Sequence, residues 1–355
     1  MDAIRITVER TTSPRPKPQG DPGFGKYFSD HVFRVDWTAE EGWRPPRIEP
    51  YGPISLDPAA SVLHYGQALF EGSKVFRGPT GRLRLFRVDA HAKRLNATAK
   101  RLCMPEIPEQ LFADGIRGLV RLDADWVPHA PGSALYLRPF MFATEPFLGV
   151  RPSKSYTFLV ITSPVGGYFG PNARPLRIWV EKTLSRAAPG GIGAAKAAAN
   201  YAASLYAAEA AKARGFDQVL WLDAPEHRWL EEIGTMNVAA QIGDALVTPP
   251  LGGTILPGIT RDTLLTLARD AGVRVEERPI ALEELIRASR EGALRAFFGV
   301  GTAAAVAPIG ELAWEGGNLT IPAAGPDSLP ERLRSALDAI RTGDAPDRHR
   351  WIEEL

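Results

Sequence analysis

The sequence predicts an α/β fold of mixed α+β character in two domains. Three observations carry that expectation. The chain has 355 residues, enough for two domains of ordinary size. Short runs rich in β-branched and aromatic residues alternate with segments of helical apolar spacing along its length. The loop-forming stretch SPVGGYFGPNARP, residues 163–175, divides it near the middle. The expected organisation is an extended or mobile leader at 1–25, a smaller α/β domain at 26–163, an interdomain loop at 164–175 and a larger α/β domain at 176–355.

In chain order, TTSPRPKPQGDPGFG (11–25) is rich in proline and glycine and reads as the leader. HVFRVDW (31–37) and RLRLF (82–86) read as strands. In VDAHAKRLNATAKRLC (88–103) the apolar residues Val88, Ala92, Leu95, Ala99 and Leu102 recur at helical spacing, with Asp89 as the cap and Arg94 beside the stripe, its head able to point inward. ALYLRPFMFAT and YTFLVITS read as strands, as does LRIWVEK at the opening of the second half. NYAASLYAAEAAKARG reads as a helix ended by Gly215. DQVLWLD and EEIGTMNVAAQIG read as strands. Residues 259–272 read as a capped helix with Leu264, Leu267 and Ala268 facing inward, and LEELIRASREG as another helix. AFFGVGTAAAVAPI reads as one strand broken by Gly299 and Gly301.

Bulk composition narrows the function. Hydrophobic residues make up 45% and charged residues 23%, which is globular. A net charge of +1 gives no broad field for nucleic acid or a membrane surface. A single cysteine, Cys103, excludes an intrachain disulfide framework and a cysteine-based zinc site. The six histidines are scattered, so no metal is expected. With no signal-peptide pattern and no bilayer-spanning apolar run, a soluble cytoplasmic protein is the expectation.

The chemistry is expected at GGIGAAKAAANY (190–201), where Lys196 stands alone among glycines and alanines. A Walker loop would need glycine before the lysine and a hydroxyl after it; Ala195 and Ala197 stand there instead. A lysine nucleophile must be partly neutral, and an apolar, small-residue setting favours that. The competing reading is a solvated lysine in an alanine-rich helix. In EEIGTMN (231–237) the two glutamates fall on opposite faces of a strand, which leaves two readings: one is open to solvent and the other turned inward, where it needs a partner such as a protonated ring nitrogen, or both are surface residues at a strand start. LPGITRDT (256–263) enters a helix through a glycine turn, which is either an anion site or an ordinary helix start. In GVGTAA (299–304) two glycines let backbone approach a ligand, and the amides of Thr302 and Ala303 suit an anion; a bulge is the alternative. A lysine, a carboxylate, two anion cradles and an inward arginine together suggest pyridoxal 5′-phosphate.

These motifs, with FGKYFSDH from Phe24, HYGQALFEGSKVFRG and ALYLRPFMFATEPFLGV, follow one order along nearly the whole chain. In that order the sequence resembles the branched-chain amino acid aminotransferases of the fold-type IV, pyridoxal-phosphate-dependent class. The resemblance implies Lys196 as the Schiff-base lysine and proton carrier, and Glu232 as the partner of the pyridine nitrogen. It implies Arg94 at the phosphate with Ile259, Thr260 and Thr302, Arg186 near the phosphate, and Tyr201 at the phenolic oxygen. For substrate it implies Phe24, Tyr65, Phe70 and Tyr136 as an aromatic lining, Thr302 and Ala303 at the α-carboxylate, and Arg138 at the acidic side chain of glutamate. Leu148 and Val150 match a loop that reaches a neighbouring subunit's site, implying a homodimer or higher homo-oligomer. The implied reaction exchanges the amino group of L-leucine, L-isoleucine or L-valine with 2-oxoglutarate. The alternatives are a D-amino acid aminotransferase or an aminodeoxychorismate lyase of the same fold, and, from another class, a non-catalytic small-molecule binder. Ala197, Ala198 and Ala199 replace frequent family glycines, Ser73 replaces an apolar residue, and TAAAVAP stands where some members carry a cysteine pair.

Overall fold

A computed structural model describes residues 5–167 and 174–355. The elements among them are β1 (Thr7–Val8), β2 (His31–Thr38), β3 (Gly42–Trp43), β4 (Arg47–Pro50), α1 (Ser61–Tyr65), β5 (Ala68–Phe70), β6 (Ser73–Arg77), β7 (Leu83–Phe86), α2 (Val88–Arg101), α3 (Glu109–Leu122), β8 (Ala134–Ala143), β9 (Ser155–Val165) and β10 (Leu176–Glu181). They continue with α4 (Ala198–Ala213), β11 (Gln218–Leu222), β12 (Leu230–Ile233), β13 (Met236–Ile242), β14 (Ala245–Thr248), α5 (Ile259–Asp270), β15 (Arg274–Glu277), α6 (Leu282–Arg290), β16 (Leu294–Gly301), β17 (Ala305–Trp314), β18 (Gly317–Thr320), α7 (Leu329–Thr342) and β19 (Ile352–Glu354). The chain forms two compact units. The first is Met1–Gly170 with Lys196–Ala199 and Ile340–Leu355; the second is Pro171–Ala195 with Asn200–Ala339. The units do not follow a single cut, because two later stretches return to the first. Of the interdomain loop expected at 164–175, residues 168–173 lie outside the described residues, as do 1–4 of the leader.

The first unit is a ten-stranded sheet in the order β1-β4-β2-β9-β8-β6-β7-β19, with β3 on β2 and β5 on β8. Its centre is the β8–β9 ladder, antiparallel from Ala134↔Val165 to Ala143↔Tyr156. α2 and α3 cover it. Leu95 and Ala99 of α2 and Phe112, Ile116 and Leu119 of α3 join Phe33, Val75, Leu85 and Val160 of the sheet in one buried core. Two expectations change here. The leader is tied down: β1 pairs in parallel with β4, the Thr11 amide donates to His31 Nε2 at 2.9 Å, and the Arg15 amide donates to Asp30 Oδ1 at 2.7 Å. Asp89 is not the cap of α2. Arg87, in the left-handed region at φ 51°, holds that position without a side-chain bond, and Asp89 sits exposed in the first turn, 3.7 Å from Lys93.

The second unit is a nine-stranded sheet in the order β12-β11-β10-β17-β16-β13-β14-β15, with β18 on β17. Because β12 also pairs with β13, the first six strands close on themselves. Leu264, Leu267 and Ala268 of α5 are buried, as are Leu282, Leu285 and Ala288 of α6, matching the apolar periodicity of both segments. EEIGTMNVAAQIG is not one strand but a hairpin, β12 and β13, turning at Gly234–Thr235 with Ile233 opposite Met236. AFFGVGTAAAVAPI is likewise two strands, β16 and β17, with Gly301 opposite Ala305 and residues 302–304 as the turn. In each, the residues on both sides of the turn suit a strand, which hid the reversal from a reading by composition.

Candidate active site

Lys196 lies just before α4, in the first unit. Its main chain is fixed on both sides. The Lys196 amide donates to Thr98 Oγ1 at 3.0 Å, and its carbonyl accepts from the Phe70 amide at 3.2 Å. Ala197, 1% exposed, bridges Leu69 of β5. The lysine therefore lies outside the alanine-rich helix, with its main chain held and its residue half-buried. Its Nζ stands 4.5 Å from the Phe70 ring centroid, and the Arg138 guanidinium carbon stands 4.7 Å from the same ring.

Arg94, on the buried side of α2, is held by Glu71, which follows β5. Nε and Nη2 donate to the two Glu71 oxygens at 2.7 and 2.8 Å. His91 Nδ1 lies 2.7 Å from Glu71 Oε2, and the Gly72 amide donates to the same oxygen at 3.1 Å. Glu71 is fully buried. Burial alone would raise its pKa, but Arg94 and His91 hold it far below the carboxylate range. Burial pushes His91 the other way, downward, reinforced by the positive charges of Arg94 and Lys196, so the imidazole is neutral and donates through Nδ1.

Tyr136 on β8 is edge-to-face with Phe24 at 5.0 Å between centroids. Arg138 Nη2 donates to the Tyr136 hydroxyl at 3.2 Å, and Arg138 Nε is buried without an acceptor among the described residues. The Tyr65 hydroxyl donates to the Leu148 carbonyl. Leu148 and Val150 are 61% and 84% exposed, a large apolar display for one loop.

The second unit carries the carboxylates. Glu232 Oε1 accepts from Asn237 Nδ2 at 3.1 Å and from the Leu256 amide at 2.9 Å. Arg186 Nε lies 2.9 Å from Glu232 Oε2, with its N–H turned off the hydrogen-bond line, so charge dominates that contact. Arg186, expected near a phosphate, is thus engaged at the carboxylate expected on the ring nitrogen. Its Nη2 also donates to the carbonyls of Gly193 and Thr254, tying the lysine segment to the loop that leads into α5. Gly193 permits this approach: a Cβ there would lie 2.3 Å from the Thr254 oxygen. The expectation that at least one of the two glutamates meets solvent is not met: Glu231 is buried, as Glu232 is. Glu231 is 5% exposed, and burial raises its pKa.

Ile259 and Thr260 open α5 behind Gly258, whose cap uses no side-chain bond. Both are buried, at 7% and 3%. Thr302 and Ala303 lie in the β16–β17 turn. The glycines before that turn serve packing: a Cβ on Gly299 would lie 2.8 Å from Met236 Cε. Tyr201 joins Arg186, Asn200 and Glu232 around a small cleft. Glu71, His91, Thr98 and Asn237 were missed from sequence. For Glu71 a signal existed: a lone acid between the apolar strands of ALFEGSKVF. Among the described residues no cluster of His, Cys, Asp and Glu could hold a metal ion, and no helix is long and apolar enough to cross a membrane.

Known proteins resemble this chain along most of its length. The family described as amino-transferase class IV matches residues 68–312. Branched-chain-amino-acid aminotransferase 2 of Bacillus subtilis is 45% identical over 358 residues, covering 100% of this chain and 98% of the relative. The structure of the Escherichia coli branched-chain amino acid aminotransferase is 26% identical with a TM-score of 0.74, covering 90% of this chain and 98% of that one. The T.th. branched-chain amino acid aminotransferase with pyridoxamine 5′-phosphate is 25% identical with a TM-score of 0.71, covering 90% and 97%. The chain belongs to the class IV aminotransferases and, among them, to the branched-chain-amino-acid aminotransferase family.

Proposed function

We propose that this enzyme transfers the amino group of L-leucine, L-isoleucine and L-valine to 2-oxoglutarate, reversibly, using pyridoxal 5′-phosphate. The observation that carries the reading is Lys196, its main chain pinned by Thr98 and Phe70 among buried small residues, in a chain that also buries Glu232 against Arg186. The donor set suits this cofactor: one primary amine for its aldehyde, one buried carboxylate for its ring nitrogen, and an arginine and a helix start for its phosphate. The T.th. relative, whose structure holds the pyridoxamine form, supports the same group.

Lys196 would hold the cofactor's carbonyl carbon, Glu232 its ring nitrogen, and Tyr201 its phenolic oxygen. Arg94, Ile259, Thr260 and Thr302 would hold its phosphate. Arg186 holds Glu232 in place. When bound, the cofactor supplies a carbonyl that condenses with amines and a ring that takes up the electron pair left at Cα. The Lys196 amine then carries the proton from Cα, as general base and afterwards as acid. Glu232, with Arg186 and Asn237 against it, would accept the N–H of the cofactor's ring nitrogen.

Phe24, Tyr65, Phe70 and Tyr136 supply an apolar surface for branched side chains. Such a surface separates substrates differing by one methylene by only about 1–3 kcal/mol, so breadth among the three is expected. The buried Arg138 Nε, without an acceptor among the described residues, suits the side-chain carboxylate of glutamate and 2-oxoglutarate. The amides of Thr302 and Ala303 take the α-carboxylate. The exposed Leu148 and Val150 support assembly as a homodimer or larger homo-oligomer.

The test is the visible absorption of the purified protein. L-leucine alone should bleach the band and 2-oxoglutarate restore it, with ping-pong kinetics in turnover. Bleaching by D-alanine but not L-leucine would transfer the reading to a D-specific enzyme. A Lys196→Ala variant that kept turnover would remove the lysine from the mechanism.

A further inference from the structure

We propose that Thr98 is a positioning residue for Lys196: its hydroxyl oxygen holds the lysine's main-chain amide and so fixes where the amine acts. The inference rests on the reading of Lys196 as the reacting amine and adds a residue to it. Four observations carry it.

First, the bond is direct and its acceptor is buried. The Lys196 amide donates to Thr98 Oγ1 at 3.0 Å, and Thr98 is 2% exposed. Second, Thr98 holds one half of a two-sided clamp. The Lys196 carbonyl accepts from the Phe70 amide, so both main-chain polar groups of the lysine are taken by the first unit, while Ala195 before it belongs to the second. With its main chain pinned, Nζ moves only through side-chain torsions. Third, Thr98 sits where a helix has no use for it. It lies in the interior of α2, flanked by Ala97 and Ala99, and threonine is a poorer helix former than alanine. A side chain that breaks the local preference points to work outside the helix. Fourth, Thr98 lies one turn beyond Arg94, and both are buried on α2. One rigid helix thus sets both the lysine's main chain and the arginine expected at the phosphate.

The distinction from packing is chemical. Valine has threonine's shape without the acceptor, serine has the acceptor without the methyl, and alanine has neither but favours the helix. The full-length protein, freed of cofactor, is mixed with pyridoxal 5′-phosphate. The appearance of visible absorbance follows capture of the aldehyde by the Lys196 amine with loss of water. Hydrogen exchange of the peptide containing Lys196 is measured on the same cofactor-free samples. Thr98→Val and Thr98→Ala should slow capture at least tenfold and speed exchange of that peptide. kcat should fall by a similar factor, with KM for L-leucine within about twofold. Thr98→Ser should stay within about threefold of the parent in every readout.

Capture by the valine and alanine variants at the parent rate overturns the proposal. So does a serine variant as slow as valine, because the methyl would then be the active element. A failure of the underlying reading looks different: the parent itself would not capture the cofactor, or Lys196→Ala would capture it equally well.

Discussion

Glu71→Gln removes a charge from the most completely buried ionic cluster of the first unit. Its carboxylate accepts four hydrogen bonds, two from Arg94, one from His91 and one from the Gly72 amide. Breaking a buried pair by removing one partner costs about 3–5 kcal/mol, because the other charge stays buried. Glutamine has nearly the same shape, and its carbonyl keeps an acceptor worth about 1 kcal/mol. Its amide group, however, turns donors toward donors, so the expected loss is about 2–4 kcal/mol. The sign of the pH dependence follows from the lowered pKa of Glu71. Its stabilisation is present above the ordinary carboxylate value of 4.5 and is lost as pH falls toward the folded value. The parent should therefore lose stability on acidification below that range, while Glu71→Gln, already without the charge, shows a shallower acid limb. Urea unfolding at pH 7.5 and at several acid pH values, followed by tryptophan fluorescence, reads both effects. A loss below about 1 kcal/mol at neutral pH, or an acid limb as steep as the parent's, would refute the reasoning.

Three more outcomes are expected. Glu231 is the opposite case: its pKa is raised by burial, so its stabilising form is neutral, fully favoured below 4.5 and lost as pH rises through the folded value. Glu231→Gln should match the parent near pH 4 and exceed it near pH 8 in thermal unfolding; parallel curves would rule this out. Asn237→Asp replaces the donor to Glu232 and to the Leu256 carbonyl with an acceptor, and should cost at least about 2 kcal/mol above pH 7 with partial recovery on acidification. Gly72→Ala would place a Cβ 1.9 Å from the Tyr136 hydroxyl and displace it from Arg138. Overpacking should cost about 1–3 kcal/mol, and KM for 2-oxoglutarate should rise more than KM for L-leucine; equal shifts would separate Tyr136 from the acidic substrate.

The sequence showed which segments matter better than how they fold back. The periodicity of residues 88–103 located α2 and the inward Arg94, because helical spacing is local and burial follows from it. The reversals at Gly234–Thr235 and at residues 302–304 were not legible, since strand-forming residues on both sides of each turn read as one strand. Lys196 stood out by composition alone. Its anchor Thr98 did not: the two are 98 positions apart, and nothing in RLNATAKR distinguishes a threonine that accepts a distant amide from one that fills a helix. Glu71 finds Arg94 only because α2 docks on the sheet, and one glutamate of the 231–232 pair was expected in solvent because alternation assumes one face of a strand is wet. Within a closed set of strands both faces are covered, and both glutamates are buried.

The pairing of β19 with β7 has a consequence for how the chain matures. Arg82 and Glu354, bonded across that edge, lie 272 positions apart. On the ribosome, β7 is made early and its outer edge must wait for nearly the entire remaining chain before its native neighbour exists. During that interval the strand offers unpaired amides and carbonyls to any passing nascent chain. The arginines on and just before it, Arg84 and Arg82, are charged gatekeepers for that interval and become partners of Glu354 once the edge is closed.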